Sequence, residues 1–151
     1  MKFSLSREAL LNPLQLVAGV VERRQTLPIL SNVLLRLDGN RLSITGTDLE
    51  VEIKGSADVA STSEAGEVTI SARKILDICR SLPDGAQVDF SSGDGKAQIT
   101  SGRSKFTLAT LPANEFPSVD EGEQSVDFAV AGTLVKGLIE ATAFAMAQQD
   151  V

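Results

Sequence analysis

The sequence predicts an α+β fold, with two helices packed on two small antiparallel sheets. Three observations carry this. Apolar and polar residues alternate with a period of two through most of the first 110 or so positions. Helical spacing interrupts that alternation twice. Turn signals, namely Asp38-Gly39-Asn40, Ser92-Gly93-Asp94-Gly95 and Gly102-Arg103, separate the alternating runs. Sheets of this kind pack one face and wet the other, and a few helices then cover the packed face.

The elements follow in order. Met1-Lys2-Phe3-Ser4-Leu5-Ser6 alternates as a strand from its start, which does not read as a secretory signal. Ser6 is the expected N-cap of a helix in which Leu10, Leu14 and Val17 recur at intervals of four and three. Pro13 lies inside it and is expected to kink it, since an interior proline costs ~3 kcal/mol. Val33, Leu35 and Leu37 pair across Asp38-Gly39-Asn40 with Leu42 and Ile44. Leu49, Val51 and Ile53 alternate with Asp48, Glu50 and Glu52 in a further strand, and Val68 and Ile70 make a short one. Ile75, Ile78, Cys79 and Leu82 stand at i, i+3, i+4 and i+7 of a second helix, stopped by Pro83. Val88 and Phe90 form a hairpin with Ala97 and Ile99, and Phe106 and Leu108 alternate in the last strand. The expected order over residues 1–120 is strand, helix, four strands, helix, three strands.

Residues 111–125 read differently. Leu111-Pro112-Ala113-Asn114-Glu115-Phe116-Pro117-Ser118 is followed by an acidic stretch, and residues 121–125 are taken as a linker. Beyond it Phe128, Val130, Val135, Ile139 and Ala143 match Phe3, Leu5, Leu10, Leu14 and Ala18 at a constant offset of 125. Pattern alone leaves open whether this is a duplicated unit or the general likeness of any strand-then-helix pair. On the first reading residues 126–151 are the start of a second domain, a strand plus a helix without core partners, and the chain is part of something longer.

Composition narrows the function. With 42% hydrophobic and 23% charged residues the chain has material for a core, and no apolar run approaches the ~18 residues of a membrane helix. The single cysteine, Cys79, allows no internal disulfide, which fits a reducing cytoplasm. The absence of histidine excludes a Ser-His-Asp triad and His-ligated zinc or haem. No Trp, no Tyr and 6 Phe leave few platforms for stacking on single strands. Asp48, Glu50 and Glu52 on one strand face could hold a hard cation, but a wetted strand face is the plainer reading. Gly93-Asp94-Gly95-Lys96 lacks the spacing of a phosphate loop and reads as a hairpin turn. Cys79 lies at a core position, so no nucleophile, base and orienter assemble, and no catalytic residue, cofactor or metal is expected.

Charge placement is more informative than the net charge of −6. The helices and the stretch after the first hold Arg7, Arg23, Arg24, Arg73, Lys74 and Arg80 against Glu8, Glu22 and Asp77, a net +3. The remainder holds 8 basic and 17 acidic residues, a net −9. A helical layer facing a polyanion produces this division, and so does a solvated helix face. No base-reading motif is present, so binding of such a polyanion would track phosphate and ignore sequence.

Several blocks resemble the bacterial DNA polymerase III beta subunit family, the sliding clamps. They are Arg23-Arg24-Gln25-Thr26-Leu27-Pro28-Ile29-Leu30-Ser31-Asn32, Thr45-Gly46-Thr47-Asp48-Leu49-Glu50, Ala72-Arg73-Lys74, Ser101-Gly102-Arg103-Ser104-Lys105-Phe106 and Phe144-Ala145-Met146-Ala147-Gln148-Gln149-Asp150-Val151. The resemblance implies the DNA clamp fold and a subunit of three similar domains. It implies a head-to-tail homodimer ring that encircles duplex DNA without regard to sequence. Such a ring is a non-catalytic cytoplasmic processivity factor, tethering DNA polymerase III and served by a clamp loader, with no cofactor and no membrane. It implies DNA contact by Arg24 and Gln149. It implies a ring interface from Lys74, Ile78, Leu82, Arg103, Lys105, Phe106 and Leu108, with Phe106 and Ile78 uncovered when the partner is absent. The peptide pocket for polymerase and loader, between the second and third domains, is expected to be absent, and the chain alone to be monomeric. Two alternatives stand beside this: an interaction module that uses an exposed sheet edge, and a small hydrolase with a metal at Asp48, Glu50 and Glu52.

Overall fold

The computed structural model describes residues 1–21, 27–117 and 129–146, in two units, Met1–Val119 and Asp120–Val151. Strand β1 (Lys2–Ser6) buries Phe3 and Leu5 and leads directly into helix α1 (Arg7–Val17). Ser6 caps the helix, its hydroxyl accepting the Ala9 N–H at 3.3 Å. The helix runs through Pro13 without interruption. Pro13 is buried against β4, so tertiary packing holds a residue that local propensity disfavours. A Cβ on Gly55 would stand 2.8 Å from Pro13 Cβ, and one on Gly46 would stand 2.6 Å from Val17 Cγ1. Both positions need glycine because the helix lies so close to the sheet.

After a 3-10 turn over Pro28–Ser31 come β2 (Asn32–Asp38), β3 (Arg41–Thr47), β4 (Glu52–Asp58), β5 (Ser61–Glu64) and β6 (Gly66–Ser71). Helix α2 (Ala72–Ser81) follows, then β7 (Gln87–Gly93), β8 (Lys96–Ser101) and β9 (Ser104–Leu111). Five strands lie between the helices rather than the expected four. All pairings are antiparallel, in the order β4-β3-β2-β6-β9-β8-β7-β1-β5. The two expected sheets are therefore joined through β9, which pairs with β8 along Ser104–Ala109 and with β6 only at Thr110 and Leu111.

The core lies between helices and sheets. Leu10, Leu14 and Val17 of α1 and Ile75, Ile78 and Cys79 of α2 join Val33, Leu35, Leu42, Ile44, Ile70, Val88, Phe90 and Ile99 in one cluster. Phe3 and Phe90 stack at 4.8 Å between ring centroids. Each fully buried aliphatic side chain contributes about 1.5–3 kcal/mol relative to exposure.

In the second unit, helix α3 (Gly132–Ala143) buries no residue, and Val130, Leu134, Leu138 and Ile139 are all exposed. The strand expected before it falls partly on residues outside those described, and residues 129–131 are irregular. Among the described residues no helix is long and apolar enough to cross a membrane.

Candidate functional site

Two surfaces are built from the residues singled out above. The first is the outer face of α2. Its apolar stripe faces the core, which leaves Arg73, Lys74, Asp77 and Arg80 exposed. Beside it the end of α1 and the turn before β2 complete an open groove of about 360 Å³, lined by Ala18, Val21, Ser31, Ser71, Arg73 and Arg80. Arg73 pairs with Asp77 one turn on, Nε to Oδ2 at 3.8 Å. Exposed pairs of this kind are worth well under about 1 kcal/mol, so both arginines can turn to a phosphate. Arg80 stands in the last turn of α2, where the helix dipole favours a cation.

Arg7 does not share in this surface. Its Nε donates to the Cys79 carbonyl at 2.8 Å, and its Nη1 donates to Asp84 Oδ1 at 2.6 Å and Glu8 Oε1 at 3.0 Å. The side chain is 14% exposed. The positive helical layer counted from the sequence therefore loses one cation to an internal structural role. Arg24 and Gln149, the expected DNA contacts, lie outside the described residues. Ser31 belongs to one of the sequence blocks above, whereas nothing in the sequence singles out Ser71. Arg73 and Arg80 lie in the helical layer that the charge count makes positive, and their spacing from Ile75 and Ile78 sets them opposite the apolar stripe.

The second surface is the free side of β9. Over Ser104–Ala109 this strand has a ladder on one side only. Phe106 and Leu108 point to the core side and are half-buried, and Arg103 and Lys105 are exposed. The expectation that Ile78 is uncovered is corrected: it is 8% exposed and belongs to the core cluster, as does Leu82 at 7%. Both fall on the helical stripe that α2 must bury for the domain to fold, so the domain's own packing claims them first. Lys74 is exposed on the neighbouring helix.

The alternation at Leu49, Val51 and Ile53 is also corrected. Residues 48–51 form a turn, and β4 begins at Glu52. Asp48 Oδ1 accepts the N–H groups of Val51 at 2.7 Å and Glu50 at 2.9 Å, and Thr47 Oγ1 accepts that of Leu49 at 3.0 Å. These bonds, the one to Val51 foremost, hold the Asp48 carboxyl below its usual range. Asp48, Glu50 and Glu52 thus share no strand face, and Glu52 pairs with Lys54 at 3.8 Å. Among the described residues no group of three His, Cys, Asp or Glu side chains could hold a metal.

The first unit is thus a folded domain with a cationic helical face and an open strand edge. Residues 1–120 match the family described as DNA polymerase III beta subunit, N-terminal domain, and the chain belongs to that family. It is 57% identical over 151 residues to the beta sliding clamp of Pseudomonas aeruginosa, covering all of this chain and 41% of that protein. It is 47% identical over 151 residues to the beta sliding clamp of Escherichia coli, again covering all of this chain and 41% of the other. The Pseudomonas aeruginosa clamp solved with griselimycin superposes with a TM-score of 0.95 at 57% identity, over 100% of this chain and 41% of that one. Caulobacter crescentus pol III beta superposes at 0.94 with 41% identity, over 100% and 40%. The chain thus spans about two fifths of the length of these relatives.

Proposed function

We propose that this chain supplies the first domain of a bacterial sliding clamp. The likeness to beta sliding clamps along the whole chain carries the reading, and the cationic outer face of α2 supports it. On this reading the protein is a non-catalytic, cytoplasmic processivity subunit. The helical face meets the phosphates of duplex DNA, and Arg24 and Gln149 are further contacts to it. The β9 edge, with Lys74, Arg103, Lys105, Phe106 and Leu108, meets a third domain of another subunit in a head-to-tail ring. Polymerase III and the clamp loader are partners of that ring. The ring works by topology, turning polymerase rebinding into an effectively intramolecular event.

Duplex binding by this chain tests the reading. Two or three phosphate contacts at a log–log salt slope of about −0.9 each predict a roughly 10- to 40-fold loss of affinity for a fourfold rise in salt. Arg24→Ala should weaken binding about equally on any duplex. A sequence preference, tight binding that persists at high salt, or no binding at low salt would contradict the proposal.

A further inference from the structure

We propose that the β6–β9 seam is a hinge stiffened by a side-chain relay, Asn32 to Thr69 to Leu111, about which the open-edged part of β9 pivots against β2, β3 and β6. The relay accounts for Asn32, a residue that neither surface described above uses although it closes a sequence block whose Ser31 lines the α2 groove. Asn32 opens β2 and is 8% exposed, and its Nδ2 donates to Thr69 Oγ1 on β6 at 3.1 Å. Thr69 is fully buried, and its hydroxyl donates in turn to the Leu111 carbonyl at the end of β9 at 3.0 Å. Two hydrogen bonds therefore cross three adjacent strands and tie the two halves of the sheet.

The seam is short beside its neighbours. β2 pairs with β6 from Asn32↔Ser71 to Leu37↔Gly66, and β8 with β9 from Lys96↔Ala109 to Ser101↔Ser104. β6 meets β9 only at Thr69↔Leu111 and Ile70↔Thr110. Where a ladder would continue, Gly66, Glu67 and Val68 line an open groove of about 310 Å³ with the β7–β8 turn on its far side. Thr110 is bound to that turn, its N–H donating to the Gly95 carbonyl at 3.0 Å. The end of β9 is thus tied to the β7–β8 turn on one side and to β6 by the two register pairs and the relay on the other. Ile70 and Ile99 are fully buried, so the core continues beneath and limits the motion to a pivot. Buried hydrogen bonds suit such a joint: they hold one geometry and leave polar atoms unsatisfied in any other. The pivot shifts Ser104–Ala109, and its use in opening or closing a ring contact rests on the function proposed above.

Native-state hydrogen exchange on the 151-residue chain tests the hinge without DNA or partner, so a failed DNA titration leaves it standing. In the unsubstituted chain the Leu111 amide is expected to exchange through a small opening with weak denaturant dependence, while Leu35 and Ile44 exchange only on global unfolding. Thr69→Val is expected to speed Leu111 exchange roughly tenfold relative to Leu35 and Ile44, and Thr69→Ser to restore it. The proposal is overturned if Leu111 exchanges only with global unfolding in the unsubstituted chain. It is equally overturned if Thr69→Val speeds all three amides alike. The first measurement stands even where Thr69→Val does not fold.

Discussion

The Cys79 thiol lies on the core side of α2, and burial pushes its pKa from an ordinary 9.0 up to about 11, with the Arg7 charge pulling slightly the other way. The folded chain therefore holds this proton more tightly than the unfolded chain does. Stability should fall as pH rises from 9 towards 11, by up to about 2–3 kcal/mol. The thiol should resist alkylation at pH 8 until the chain unfolds, and rapid labelling of the native protein would contradict its burial. Acid works in the opposite sense. Glu8 is held low chiefly by the Gly85 N–H, and Asp48 by that of Val51. What these carboxylates contribute is complete above their ordinary values of 4.5 and 3.8 and is lost as pH falls below them. Urea midpoints measured from pH 3 to 11 would show both limbs. Asp48 also shows how a residue-level reading can fail. Leu49 and Val51 alternate as a strand would, yet both are about half exposed and Leu49 takes a φ of 83°. A side-chain carboxylate that captures two backbone N–H groups outweighs the alternation, and periodicity does not register such a capture.

At the scale of elements, α1 and α2 are locked end to end by one side chain. Arg7 at the start of α1 bonds the Cys79 carbonyl near the end of α2 and the Asp84 carboxylate beyond it. Its own N–H donates to the Ala86 carbonyl at 2.8 Å, while Glu8 accepts the Gly85 N–H at 3.0 Å. Arg7→Ala leaves the part-buried Cys79 carbonyl without this donor, a loss of about 1–3 kcal/mol by urea unfolding. Arg7→Lys should recover little, because an ammonium does not reproduce the fork of a guanidinium. Duplex affinity should stay unchanged in both, and a parallel loss of DNA binding would return Arg7 to the phosphate-facing surface. Both helices were legible because their stripes repeat at 3.6 residues and Ser6 and Pro83 mark their ends. Strand β5 was not. Ser61-Thr62-Ser63-Glu64 offers no apolar residue, and its register against Phe3 and Ser4 of β1 fixes it at the sheet's edge. A strand defined by its partner leaves no periodic trace in its own residues.

Over the whole first unit the chain repeats one order of elements: β1-α1-β2-β3-β4, then β6-α2-β7-β8-β9. The first strand of each set pairs into the other's sheet, β1 with β7 and β6 with β2, so neither half closes without the other. The exchange leaves the free side of β9 as an unpaired run of backbone groups over Ser104–Ala109, which is a template for another strand. Arg103 and Lys105 are exposed on this edge, and like charge disfavours pairing with a second copy of the same edge. On the clamp reading its partner is a third domain, in a contact that joins two different surfaces. The chain alone should then sediment as a monomer, and an added third domain should bind the edge. Phe106 is the half-buried aromatic at its centre and would be covered fully by a partner, whereas Lys105 would remain at the rim. Phe106→Ala should therefore lose more of the binding than Lys105→Ala, by about 1–2 kcal/mol. Phe106 also packs on the core, so sedimentation belongs at a temperature where circular dichroism shows the variant folded. If both variants bind like the parent, the ring contact lies elsewhere on the domain.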